Sequence, residues 1–126
     1  MIPGLPIEPF YYLATPYSKY PGGIDLAFRH AACIAGNLVK HGYRVYSPIA
    51  HTHPLALHAG IDPLDHKIWL PFDETMMKAC EAILVAKMLG WETSFGVQHE
   101  ISVFRDADKR VFALEIDNLM QVSGGA

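Results

Sequence analysis

Apolar residues fall along this chain in two rhythms, short unbroken runs and stripes at three- and four-residue spacing, and the two alternate. The first run, Phe10-Tyr11-Tyr12-Leu13-Ala14, follows a proline-rich leader and precedes Thr15-Pro16-Tyr17-Ser18. Consecutive aromatic and apolar positions of this kind suit a buried strand. After Pro21-Gly22-Gly23 the pattern predicts a helix from about Ile24, with Asp25 placed to complement the helix dipole in the first turn. Ala27, Ala31, Ile34, Ala35, Leu38 and Val39 form its core stripe, and Gly42 offers a left-handed stop. Arg44-Val45-Tyr46-Ser47 then reads as a second strand, and a β, α, β order implies a right-handed crossover with parallel pairing.

From Pro48 to Pro63 the chain is rich in histidine and proline and weakly periodic, which predicts a long functional loop with a helical turn around Leu55 to Ala59. A helical region follows from about Leu64 to Cys80, expected to break at Pro71 because proline lacks an amide donor and crowds the preceding turn. Ala82-Ile83-Leu84-Val85-Ala86 carries no charge and fits a central strand buried on both faces. Ser94 can cap a helix striped by Val97, Ile101 and Phe104 and ending near Asp106, and Arg110 to Leu114 reads as the last strand. The tail from Glu115 has no clear pattern, and Ser123-Gly124-Gly125-Ala126 reads as a disordered end. The expected architecture is a single α/β domain over residues 1–126, ordered from about 9 to 116: a three-layer Rossmann-like (flavodoxin-like) fold with a short, mostly parallel sheet of four or five strands.

Composition narrows the partners. With 126 residues, 51% of them hydrophobic and 18% charged, the chain suits one core. A formal net charge of −3 argues against polymeric nucleic acid, which binds through neutralised phosphates, and leaves room for a small ligand. Cys33 and Cys80 lie in helical segments without metal or redox spacing and read as buried free thiols, which fits a reducing cytoplasm. No leader of secretory type and no apolar stretch of about 18 residues appears, so a cytoplasmic protein without a membrane partner is expected. Trp69, Phe72, Met76, Met77, Met88 and Trp91 exceed what one thin core readily hides, which predicts a homo-oligomer, a dimer or larger.

Parallel sheets bind ligands beyond the C-terminal ends of their strands, and three segments converge on that edge. In Ser94-Phe95-Gly96-Val97-Gln98-His99-Glu100 a carboxylate sits one and a half turns into a helix and leans over Gly96, whose missing side chain leaves room for a ligand. The alternative is a solvated surface glutamate. Tyr12 to Ser18 presents hydroxyls and amides at the end of the first strand, although Tyr12 fits a core aromatic equally well. Asp73, two residues after Pro71, suits either a helix cap or a cleft-facing acid. His51, His53, His58, Asp62, Asp65 and His66 could ligate a divalent ion, or His53-Pro54 could simply stiffen a pocket wall. Arg29 is the nearest cation on the first helix for a phosphate, or else a surface residue.

Taken together, Tyr12 to Tyr17, Ser47 to Pro54, Trp69 to Met77 and Ser94 to Glu100 resemble a bacterial and phage branch of the nucleoside 2-deoxyribosyltransferase superfamily, over nearly the whole stretch from Phe10 to Leu114. The resemblance implies cleavage of the N-glycosidic bond of a (deoxy)nucleoside or its 5′-monophosphate, with no metal or cofactor. It assigns the nucleophile to Glu100, an aspartate near base and sugar to Asp73 and a tyrosine at the end of the first strand to Tyr12. By the same resemblance Ser94 lies near phosphate or sugar. On the reading of the residues themselves, Thr15, Pro16, Tyr17, Ser18, Arg29, His51, His53, Trp69 and Gly96 complete the expected substrate site. Well-studied members carry glycine two residues either side of the glutamate and an aspartate before the central strand, where this chain has Gln98, Ser102 and Glu81. Two further readings stand beside this one: a nucleotide-binding sensor without catalysis, and a metal-dependent hydrolase built on His51 and His53.

Overall fold

The computed structural model of the protein describes residues 2–120. Its strands β1 (Phe10–Ala14), β2 (Arg44–Tyr46), β3 (Ala82–Ala86) and β4 (Arg110–Leu114) form one four-stranded sheet in the order β2-β1-β3-β4. Every pairing is parallel, with Tyr12 level with both Tyr46 and Ile83. Helices α1 (Ile24–Lys40), α2 (Pro48–Ala59), α3 (His66–Ala79) and α4 (Phe95–Asp106) complete the three-layer, Rossmann-like α/β arrangement, with short 3-10 turns at Trp91–Thr93 and Asp117–Leu119.

Alternating side chains of the central strands feed two cores. Tyr11, Leu13 and Leu84 pack with Ile34 and Leu38 of α1 on one face. Tyr12, Ala14, Ile83 and Val85 pack on the other with Met77 of α3 and Val97, Ile101 and Phe104 of α4. Coverage on both faces is why β1 and β3 carry unbroken apolar runs. At the end of α1, Gly42 adopts φ 89°, and the amides of Gly42 and Tyr43 close back on the carbonyls of Val39 and Leu38. A residue with a Cβ is strained in that left-handed turn, so the glycine stops the helix.

Two proline-containing segments differ from the sequence expectation. Residues 48–59 form a regular helix rather than a loop with one turn. Ser47 accepts from the Ala50 amide at 3.2 Å, Pro48 occupies the first turn where its missing donor is harmless, and Gly60 ends the helix in a left-handed conformation. Nor does α3 break at Pro71, which lies inside the helix. Pro71 and Lys67, the residue whose carbonyl loses its helical donor, are both exposed, so solvent can satisfy that carbonyl.

Cys80 is buried at the end of α3, whereas Cys33 is only half-buried. Among the large apolar side chains, Met77 and Met88 are buried and Phe72 is exposed. Among the described residues no helix is long and apolar enough to cross a membrane. The expected disordered end, Ser123 to Ala126, lies outside the described residues.

Strand order reverses between β1 and β3. The chain leaves β1 toward β2 on one side and returns to β3 on the other, so the connections that follow these two strands diverge and leave a crevice beyond their C-terminal ends.

Candidate active site

That crevice is a cleft of about 600 Å³, a size that suits a small-molecule ligand. Thr15, Tyr17 and Ser18 reach it from the loop after β1, Pro48, Ile49 and Thr52 from α2, and Ser94, Phe95, Gly96, His99 and Glu100 from the start of α4. The remaining wall comes from Pro63, Leu64 and α3, through His66, Trp69, Leu70, Asp73 and Met77. A second, smaller hollow is lined by Ile2 to Pro6, none of which ionises.

Glu100 sits where the first strand meets the last helix. Ser94 caps α4 by accepting from the Val97 amide at 3.3 Å, which fixes the helix start and carries Glu100 one turn beyond Gly96. An added Cβ at Gly96 would meet nothing within 4 Å, so this side of the cleft is open. The fully buried Tyr12 donates its hydroxyl to Glu100 Oε2 at 2.6 Å. Burial raises the Tyr12 phenol far above its usual range, and the negative charges of Glu100 and Asp73 reinforce that shift, so Tyr12 stays a donor. Burial also pushes the Glu100 carboxyl up to about 8, opposed by the Tyr12 hydrogen bond and assisted by the charge of Asp73. Asp73 is itself pushed up to about 6 by burial.

Among the described residues, the buried polar atoms without a hydrogen-bond partner are Thr15 Oγ1, Tyr46 Oη, Asp73 Oδ1 and His99 Nε2. Thr15, Asp73 and His99 line the cleft, and Tyr46 packs against Tyr12 with its centroid 5.9 Å away. An unpaired buried polar group costs roughly 1–3 kcal/mol, so Thr15, Asp73 and His99 offer hydrogen bonds that a ligand or water in the cleft can take up.

Of the residues singled out in the sequence, Thr15, Tyr17, Ser18, Trp69, Asp73, Ser94, Gly96 and Glu100 come together around this cleft, with Tyr12 beneath Glu100. Pro16 is buried next to the lining. Arg29 does not line the cleft: it pairs with Asp25 at 3.0 Å on the exposed face of α1. His51 stacks on Phe72 at 5.3 Å, and His53 is buried behind Tyr17, whose hydroxyl lies 2.5 Å from His53 Nδ1. Asp62 and Asp65 accept from the backbone amides of Leu64 and Lys67. The histidine and aspartate set is thus dispersed, and among the described residues no three His, Cys, Asp or Glu side chains converge on a metal position.

A family model for a domain of unknown function (DUF1937) matches residues 10–116. The chain belongs to the DUF1937 family. No curated protein matches the chain. The DUF1937 match runs from β1 through β4, so all the cleft residues lie within the family domain. Gln98, Ser102 and Glu81 of this DUF1937 chain lie away from the cleft lining. Gln98 donates to the Trp91 carbonyl, Ser102 donates to that of His99, and Glu81 accepts from the Phe10 amide at the opposite edge of the sheet.

The sequence assigns no role to His99 or Tyr46, and it marks His66 only as a possible metal ligand, whereas His66 lines the cleft. For His99 a signal existed: it lies four residues after Phe95 on the same face of α4, and the two rings stack 6.2 Å apart. Ile49 and Thr52 reach the cleft because 48–59 is helical, which the sequence pattern did not indicate.

Proposed function

We propose that this DUF1937 domain cleaves or transfers at the N-glycosidic bond of a (deoxy)nucleoside or nucleoside 5′-monophosphate, with Glu100 as nucleophile and without a metal. The observation that carries this reading is the Glu100 carboxylate, held by Tyr12 at 2.6 Å on a cleft that also holds Asp73. In the proposed reaction a Glu100 oxygen bonds to the anomeric carbon as the bond to the base nitrogen breaks. The electron pair leaves with the base, which takes a proton from Asp73, a carboxyl whose burial favours its protonated form relative to an exposed aspartate. Water or a second base then displaces Glu100. Ile49, Leu70, Trp69 and Phe95 supply apolar wall for a planar base. The working protein is proposed to be a cytoplasmic homo-oligomer.

A second reading, nucleotide binding without turnover, is favoured by one observation. Burial pushes the Glu100 carboxyl toward its neutral form, and a neutral acid is a poor nucleophile. Incubation with a panel of deoxynucleosides, ribonucleosides and their monophosphates, read by chromatography for free base, separates the two. Base release is the expected result; binding without release from any member of the panel would favour the second reading.

A further inference from the structure

The cleft has an ionisable group that the carboxylate chemistry does not use. Tyr17 reaches the cleft from the loop after β1, and its hydroxyl lies 2.5 Å from Nδ1 of His53, a side chain only 8% exposed. The imidazole is locked in place by Phe28, which stacks on it at 4.5 Å and 18°, and by the Tyr17 ring edge-on at 88°. Its other nitrogen, Nε2, faces Asp25 Oδ1 at 3.7 Å, and Asp25 is held in turn by Arg29. An anionic carboxylate beside Nε2 favours the tautomer with its proton there, which makes Nδ1 the acceptor and Tyr17 the donor. The order from cleft to solvent is therefore phenol, imidazole, carboxylate: the arrangement in which a buried histidine activates a hydroxyl and a carboxylate orients the histidine. Tyr17 and its supports come from the α1 and α2 side of the strand ends, whereas Glu100 and Asp73 come from α4 and α3.

We propose that Tyr17, His53 and Asp25 form a proton relay that activates water as the acceptor of the glycosyl group, which makes the reaction a hydrolysis; this rests on Glu100 carrying that group as an ester. In the step, the water oxygen bonds to the anomeric carbon while the bond from that carbon to Glu100 breaks, and its electron pair returns to the carboxylate. The water proton passes to the Tyr17 oxygen as the phenolic proton passes to His53 Nδ1. The phenol ends neutral and the imidazolium faces Asp25. The extra proton leaves from Nε2 through Asp25, which is 62% exposed, and the ring proton exchanges back to Nε2 between turnovers. Tyr17 is the catalytic residue of this unit, and His53 and Asp25 are positioning residues. Water needs such help because it is a weak acid and a weak nucleophile, and positioned acid–base groups typically contribute about 100-fold or more.

Rapid-quench kinetics with a deoxynucleoside separate release of base from release of free sugar. The expected result is that Tyr17→Phe slows sugar release at least about 100-fold more than base release, leaving a stoichiometric burst of base. His53→Gln should show the same partition. Nitrogen-15 NMR of the ligand-free wild-type protein should show His53 protonated at Nε2 with Nδ1 as acceptor, a readout that needs neither turnover nor a variant. Base release with an unchanged partition in Tyr17→Phe, or a His53 proton on Nδ1, overturns the relay alone. Absence of base release by the wild-type protein from every nucleoside overturns the Glu100 reading and the water step together.

Discussion

The Tyr12 hydroxyl donates to Glu100 Oε2 at 2.6 Å, tying the first strand of the sheet to its last helix at the edge of the cleft. The bond does two jobs. It fixes one carboxylate oxygen, and it lowers the Glu100 carboxyl against a larger upward push from burial. Removing the donor should therefore shift ionisation without emptying the core.

Tyr12→Phe keeps the ring that packs on Tyr46 and Phe104 and deletes only the hydroxyl. With the lowering contribution gone, the Glu100 carboxyl should rise beyond about 8. If the ionised form is the nucleophile, the rising limb of kcat/KM against pH should move to higher pH, with about tenfold less activity at pH 7 for each pKa unit gained. A limb that stays in place would detach Tyr12 from the chemistry.

The same shifts bear on stability. A carboxyl raised in the folded state binds protons that the unfolded chain has already lost, so stability falls as pH rises through that interval. For Glu100 the interval runs from 4.5 to about 8, and for Asp73 from 3.8 to about 6. The wild-type protein should thus lose stability between about pH 4 and pH 8 on account of these two groups. Glu100→Gln should match wild type near pH 4 and exceed it at pH 8, by an amount on the order of 1 kcal/mol or more. Thermal melts across that pH range check the sign; a Glu100→Gln protein less stable than wild type at pH 8 contradicts the assignment of burial as the dominant cause.

Lys109 should matter to the fold rather than to the cleft. Its Nζ donates to the carbonyls of Met77, Lys78 and Cys80, which closes the C-terminal end of α3, and it lies 5.4 Å from the Phe104 ring centroid. Lys109→Met keeps the stem and removes the charged donor, which should destabilise by about 1.5–3 kcal/mol in urea unfolding. A change under about 0.5 kcal/mol would place Lys109 among ordinary surface residues.

Of the side chains that suggested the proposed homo-oligomer, Phe72 is exposed, and other exposed apolar side chains join it. Met77 and Met88 are buried, while Leu55, Leu57, Leu64, Ile68, Phe72 and Phe95 are exposed, mostly on α2, α3 and the segment between them. Light scattering at micromolar concentration should give a dimer or larger species, and a monomer would overturn that part of the proposal.

How much of this was legible in the sequence depended on how many principles agreed at each segment. The runs at β1 and β3 and the stripe of α4 carried period and burial together and are found as expected, whereas in α1 Ala27, Ala31, Ile34 and Leu38 face the core but Val39 at the end of the expected stripe is exposed. At 48–59 the signals conflicted: Pro54 and the histidines argued for a loop, and the deciding features were the short-range cap of Ser47 and Pro48 in the first turn. At Pro71 the steric rule was overridden because α3 is exposed there and the lost bond faces solvent. The Glu100 and Gly96 pairing was legible from helical spacing alone. What was not legible was the partnership of distant groups, such as Tyr12 with Glu100 and Tyr17 with His53, which depend on the packing of elements far apart in the chain.

The most direct test of the central claim is base release by wild-type and Glu100→Gln proteins, measured side by side by chromatography on the same nucleoside panel. A developing oxocarbenium centre needs an ionised carboxylate, first for its charge and then for a covalent bond, and the amide offers neither. The expected result is base release by wild type and a loss of several orders of magnitude in Glu100→Gln, with ligand binding retained. Comparable release by the two proteins would contradict the assignment of Glu100 as nucleophile and move attention to Asp73.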